Sequence, residues 1–162
     1  MKKIWNFILP LIAIAFVCAM CEDDDNEPMV ELPSVIKDYI NQNYGDYKIE
    51  ASELDTLCTG AIVYDVELEG KKDKEMVLIF DTEGNLLYTE AEIKVNELPA
   101  GVKNSISNAY TNYEIKEAER LDLTDGTKQY EVEIKKDQTT MEVLLNANGT
   151  VICAQEEKDD DD

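Results

Sequence analysis

The sequence predicts an α+β fold of two tandem repeats, each a helix followed by a four-stranded antiparallel meander, with the helices packed on one face of the sheet. Three observations predict it. "LPSVIKDYINQNYGDYKIE" from Leu32 returns as "LPAGVKNSISNAYTNYEIK" from Leu98. Each copy opens with apolar residues at helical spacing. The rest of each copy alternates apolar and polar residues in short runs parted by turn residues.

An offset of 66 lays Leu32 and Pro33 on Leu98 and Pro99, Ile40 on Ile106, Tyr44 on Tyr110, Tyr64 on Tyr130 and Val66 on Val132. After "EGKKDKE" and "KKDQTT" the offset falls to 65, bringing Met76 onto Met141 and Gly84 onto Gly149. A surface turn absorbs such a deletion. The matches fall on apolar and turn positions, as a structural repeat requires. Repeat 1 is expected over residues 32–93 and repeat 2 over residues 98–157.

Pro33 and Pro99 suit a first helical turn, where the missing N–H is no loss. Leu32, Ile36, Ile40 and Tyr44 form one stripe, and Leu98, Val102, Ile106 and Tyr110 its counterpart. Gly45 and Asn112 are the expected stops. "YKIEAS" and "YEIKEA" then alternate, as do "IVYDVELE" and "QYEVEIK". "MVLIF" and "MEVLL" give third strands, the turns "DTEGN" and "NANGT" follow, and "LLYTEA" and "VICAQ" give fourth strands. One unit alone would bury little core, so the pair is expected to form one α+β domain of two stacked repeats, with edge-to-edge joining of their sheets left open.

Outside the repeats the sequence speaks of location. Met1-Lys2-Lys3 precedes an almost wholly apolar run from Ile4 to Met20, and then comes "CEDDD". Such a run fits an export signal better than a membrane span. The start resembles bacterial lipoprotein signal peptides, with residues 1–20 as the signal and Cys21 as the acylated residue. Cys18 and Met20 stand where those signals carry leucine and a small residue. Cleavage after "AIA" and an uncleaved anchor are the rivals. Residues 21–31 read as an acidic flexible linker, whose "EDDD" also resembles a surface-export tract, and residues 158–162 as an acidic disordered tail. The spacing of Cys18 and Cys21 has no redox or metal context around it. The implied location is the bacterial envelope, lipid-anchored to the outer membrane on its periplasmic or outer side.

Of 162 residues, 36 are acidic, 15 are lysine or arginine and none is histidine, for a formal charge of -21. That surface repels nucleic-acid phosphates and anionic headgroups, which excludes nucleic acid as a partner and leaves the lipid anchor as the membrane contact. With 44% apolar residues in ordered patterns, the chain is not wholly disordered. Without histidine, Ser-His and Cys-His catalysis is impossible and the commonest transition-metal ligand is missing. Carboxylates alternate outward along strands without marking a cleft, so no enzyme, catalytic residue, cofactor or metal is expected. "DTEGN" (Asp81, Glu83, Asn85) and "DLTDG" (Asp122, Asp125) read as turns rather than calcium loops. Cys58 and Cys153 are not repeat partners. A disulfide between them would contribute about 4–5 kcal/mol in the chain-entropy model, but two small buried side chains is the favoured alternative.

The "LPxxVK…I…Y…Y" helix and the "Y-x-V-E" strand resemble the PepSY-like family of bacterial envelope proteins, also called β-lactamase-inhibitor-like. The resemblance runs from about Leu32 to Glu157. It implies a fold, and a role in binding or inhibiting a protein such as an envelope or secreted peptidase; it carries over no catalytic residue.

If Met76, Leu78 and Phe80 face the helices, Val77 and Ile79 face away. By the same alternation Leu87, Leu144 and Ile152 join them, with Asp65, Glu67, Glu131 and Glu133 on adjacent strands. An apolar strip edged by acids suits a protein or peptide of basic character. The expected function is therefore a non-catalytic exported binding module. The alternatives are an acidic small-ligand or cation carrier and a structural accessory subunit of an envelope complex. The sequence leaves the oligomeric state open.

Overall fold

The structure, a computed structural model, describes residues 29–71 and 74–156. Helix α1 (Ser34–Asn43) leads into β1 (Lys48–Thr56), β2 (Ile62–Gly70), β3 (Lys74–Asp81) and β4 (Leu86–Glu92). A 3-10 turn at Val95–Glu97 precedes α2 (Ala100–Ala109), followed by β5 (Glu114–Leu123), β6 (Lys128–Lys136), β7 (Thr139–Asn146) and β8 (Val151–Glu156).

The expected fold class needs correction. The molecule is one continuous antiparallel sheet of eight strands in the order β1 to β8, with two ten-residue helices. It is not an α+β arrangement of two helix-plus-meander units. What overturns the expectation is the balance of elements, eight strands in one sheet against two short helices, and β4 joins the halves to β5 from Tyr88 opposite Leu123 to Glu92 opposite Glu119. Once those strands pair, neither half keeps an inner edge of its own. A ten-residue helix is about 15 Å long, so the strands dominate the structure.

Pro33 and Pro99 stand just before the helices with φ near -55°, and their carbonyls accept the first helical bonds. Each helix ends when a tyrosine N–H, of Tyr44 or Tyr110, bonds back to Ile40 or Ile106. Of the two expected stops, Asn112 is left-handed (φ 71°) and Gly45 is not. Ile36 and Ile40 are buried over Val66, Leu68, Leu78 and Phe80. Val102 and Ile106 are buried over Ala118, Val132, Ile134, Val143 and Leu145. By register these strand residues all share one face of the sheet. Tyr44, Tyr64, Tyr110 and Tyr130 pack into the same two clusters.

Cys58 and Cys153 form a disulfide with a Cα–Cα distance of 6.0 Å, which corrects the expectation of two unbonded side chains. No spacing rule joins a turn cysteine to one 95 residues away. Cys58 lies between β1 and β2, and Cys153 on β8. In a flat sheet β2 and β8 would be about 29 Å apart at the usual strand spacing. The sheet is therefore rolled. Both cysteines pack against a third cluster, Val63, Ile79, Tyr88, Leu121 and Leu144, on the face away from the helices, so that face is concave. Bulges at Glu50, Leu87, Lys116 and Ile152 interrupt the ladders. Bulges bend and over-twist strands, the local deformation a roll requires.

The outer edge of β1 is met by the leading segment. The Val30 N–H donates to Ser52 O (2.8 Å) and Ser52 Oγ donates to Val30 O (2.9 Å). Among the described residues no helix is long and apolar enough to cross a membrane.

Candidate binding face

The concave face takes the other half of each strand's alternation. On β2 and β3, Asp65 opposes Ile79 and Glu67 opposes Val77. Ile79 in turn opposes Tyr88, and Val77 opposes Glu90. β5 sets Leu121 beside Glu90 and Glu119 beside Glu92. Glu131 lies opposite Glu119 and Glu133 opposite Glu117. β7 adds Leu144 beside Glu131 and Glu142 beside Glu133, and β8 adds Cys153 beside Leu144. The result is an apolar floor capped by the disulfide and continuous with rows of carboxyl side chains.

The expected site residues divide on this face. Ile79 (2% exposed) and Leu144 (9%) belong to the floor and are closed to a partner, while Val77 and Leu87 are half-buried against it. Ile152 is a bulge residue, 43% exposed and outside the cluster. Asp65, Glu131 and Glu133 are half-buried and Glu67 is exposed. Cys21, the signal peptide, the acidic tail and most of the linker lie outside the described residues.

Asp65 is the electrostatic centre of the expected set. Its Oδ1 is buried with no hydrogen-bond partner. Burial first, then Glu53, Glu67, Asp55 and Glu119, push its carboxyl up to about 7. Glu67 is raised by partial desolvation and then by Glu50, Glu53 and Glu75.

Glu90 and Tyr88 are among the residues of this face that escaped the sequence reading. Glu90 is pushed up to about 9 by burial, then by Glu119, Glu131, Asp65 and Asp55. Tyr88 is buried beside it, its hydroxyl held far above the ordinary range by burial and then by Glu90. Simple alternation from Leu87 puts Thr89 on this face. The bulge at Leu87 shifts the strand by one residue and brings Tyr88, Glu90 and Glu92 there instead. The glycine-bearing turn just before, "DTEGN", is the available signal, since such turns often end in a bulge.

The acids of the turns are engaged locally. Asp81 Oδ1 accepts from the N–H groups of Glu83 (2.9 Å) and Asn85 (2.8 Å), and its Oδ2 from Asn85 Nδ2 (2.8 Å). Asp125 Oδ1 accepts from the Thr127 N–H (2.8 Å) and hydroxyl (2.6 Å). Among the described residues no three His, Cys, Asp or Glu side chains are arranged to hold a metal ion. An open groove of about 590 Å³ lies beside α1, between Val35, Asp38 and Tyr39 and the turn residues Gly84, Asn85 and Thr124. Its one carboxylate, Asp38, makes it far less charged than the concave face.

No curated protein matches this chain. Solved structures show the same fold at low identity. A DUF2874 family protein from Bacteroides uniformis is 14% identical, with a TM-score of 0.57 over 78% of this chain and 90% of the other. A BLIP-like protein from Bacteroides fragilis is 19% identical, with a TM-score of 0.53 over 86% and 97%. A protein from Bacteroides eggerthii, described among "putative periplasmic proteins", is 11% identical, with a TM-score of 0.57 over 78% and 90%. A family profile described as "Putative beta-lactamase-inhibitor-like, PepSY-like" matches residues 22–88 and again 64–153. Those two matches span most of the chain, and it belongs to the PepSY-like family.

Proposed function

We propose that this protein is a non-catalytic, exported binding module whose concave sheet face takes a lysine- or arginine-rich segment of a protein partner, an envelope or secreted peptidase being one form of it. The observation that carries the proposal is Asp65. A buried carboxyl oxygen without a donor, ringed by other carboxyls, destabilises the free protein. A cationic side chain set against this half-buried carboxyl supplies the opposite charge. The family and the BLIP-like neighbour agree with protein binding, and the neighbour described as periplasmic agrees with the envelope. Val77 and Leu87 would flank the bound segment, with Glu67, Glu131 and Glu133 beside it.

Export and anchoring belong to the same proposal, with residues 1–20 as signal, Cys21 as the acylated residue and residues 21–31 as spacer. An intact mass showing Cys21 unmodified would remove the anchor.

The binding test is calorimetric titration of the full chain with a lysine-rich peptide in buffers of different ionisation enthalpy. A bound cation lowers the carboxyl pKa values, so binding at neutral pH releases protons from Asp65 and Glu90. Asp65→Asn should weaken binding while the protein itself becomes more stable. Peptide binding that is absent, or indifferent to Asp65→Asn, would sink the proposal. Calcium bound in place of the peptide would favour the cation-carrier alternative.

A further inference from the structure

We propose that the Cys58–Cys153 disulfide is a redox-sensitive clasp over the apolar floor of the concave face, and that its reduction exposes that floor to a partner. The gating half rests on the binding function proposed above; the clasp itself does not. Three observations place it. The bond joins the β1–β2 turn to β8, elements at opposite ends of the strand order. The ladders pair β8 with β7 and β1 with β2, so apart from the disulfide the two are held together by side-chain packing. The cysteines and Leu57 pack on Val63, Ile79 and Leu144, and the first of these floor residues is 0% exposed.

Both cysteines are half-buried, between the exposed residues Thr59 and Gly60 on one side and Ile152 and Ala154 on the other. A thiol can therefore reach the bond, unlike a cystine in a closed core. The chemistry is exchange with an external dithiol. One thiolate attacks a sulfur of the bond, forming a mixed disulfide and releasing the other cysteine. The second thiolate of the dithiol then displaces the first cysteine. Two electrons and two protons pass to the protein, and the dithiol leaves as a disulfide. Without the bond, the short β1–β2 turn and the edge strand β8 can separate. Ile79 and Leu144 then come within reach of the apolar side chains of a bound segment.

The test compares the full chain oxidised, the full chain reduced by excess dithiol, and the Cys58→Ala/Cys153→Val variant, which keeps apolar side chains at both positions. Amide hydrogen exchange is expected to speed up by about tenfold or more in residues 57–61 and 151–156 while α1 and α2 keep their protection, the pattern of local opening. Unchanged exchange overturns the clasp. So does equal acceleration everywhere, which would make the bond a general brace. An alternating lysine–leucine peptide should bind the reduced and variant forms about tenfold more tightly, as newly exposed apolar area allows. Equal affinity in all three forms overturns the gate. No binding in any form overturns the proposed function, and the exchange result still decides the clasp.

Discussion

The two faces of this sheet are built from the same strands and come to opposite solutions. Under the helices, Phe80, Leu78, Val132 and Leu145 are all fully buried among other apolar side chains. On the concave side the floor is apolar, yet Asp65 and Glu90 are held there with raised pKa values and carboxyl neighbours. The first face is what stability alone would select. The second gives up stability at named positions.

The contrast can be broken most forcefully on the helix side. Phe80→Ala removes a fully buried ring that meets Tyr39 edge-on at 5.5 Å between centroids. It should cost about 3–5 kcal/mol in urea unfolding, with little dependence on pH. Loss of under about 1 kcal/mol would mean that the helix side is not the tighter core.

The carboxyls should behave in the reverse sense. With folded pKa values raised, Asp65 and Glu90 contribute fully to stability only below their unfolded pKa values. That contribution is lost as pH rises through about 7 for Asp65 and about 9 for Glu90. Asp65→Asn/Glu90→Gln should therefore gain several kcal/mol near pH 9 and almost nothing near pH 4. A gain equal at both pH values would show that ionisation is not the cause.

A finer comparison lies within the helix side. A Cβ at Gly149 (φ 92°) would collide with the carbonyl of Gly101, which is backbone and cannot move aside. At Gly84 (φ 88°) it would meet the Val35 side chain, which is 48% exposed and free to turn. Gly149→Ala should cost about 2–4 kcal/mol and Gly84→Ala about 1–2 kcal/mol. Equal losses would show that backbone conformation alone sets the penalty. The smallest effect is expected at Ile152→Thr, within about 0.5 kcal/mol, because that bulge residue lies outside every cluster.

Much of the helix-facing core was legible in the sequence. Ile36, Ile40, Val102 and Ile106 stand at helical spacing, and Val66, Leu68, Val132 and Ile134 alternate as strand residues facing one side must. Three things were not legible. The register in which β4 pairs with β5, Tyr88 opposite Leu123, is a long-range match that local pattern does not encode. The bulge at Leu87 moves one residue and so reverses which side chains face the concavity, hiding Tyr88 and Glu90. The disulfide depends on a roll of the whole sheet, and no spacing along the chain reports curvature. Asp65 was named for its charge alone. Its orphaned oxygen emerges only once Glu53 and Ile79 are known to flank it.

The contact between Val30 and Ser52 has a consequence for assembly. An open sheet ordinarily offers two templates for strand addition, and a chain with two can propagate end on end into fibres. Here the leading segment occupies the middle of the β1 edge through both hydrogen bonds to Ser52, and the side chain of Ser52 is buried beneath it. β8 stands at the other end of the order with its strand largely exposed. Growth of the sheet through the β1 edge would first have to displace the leading segment from Ser52.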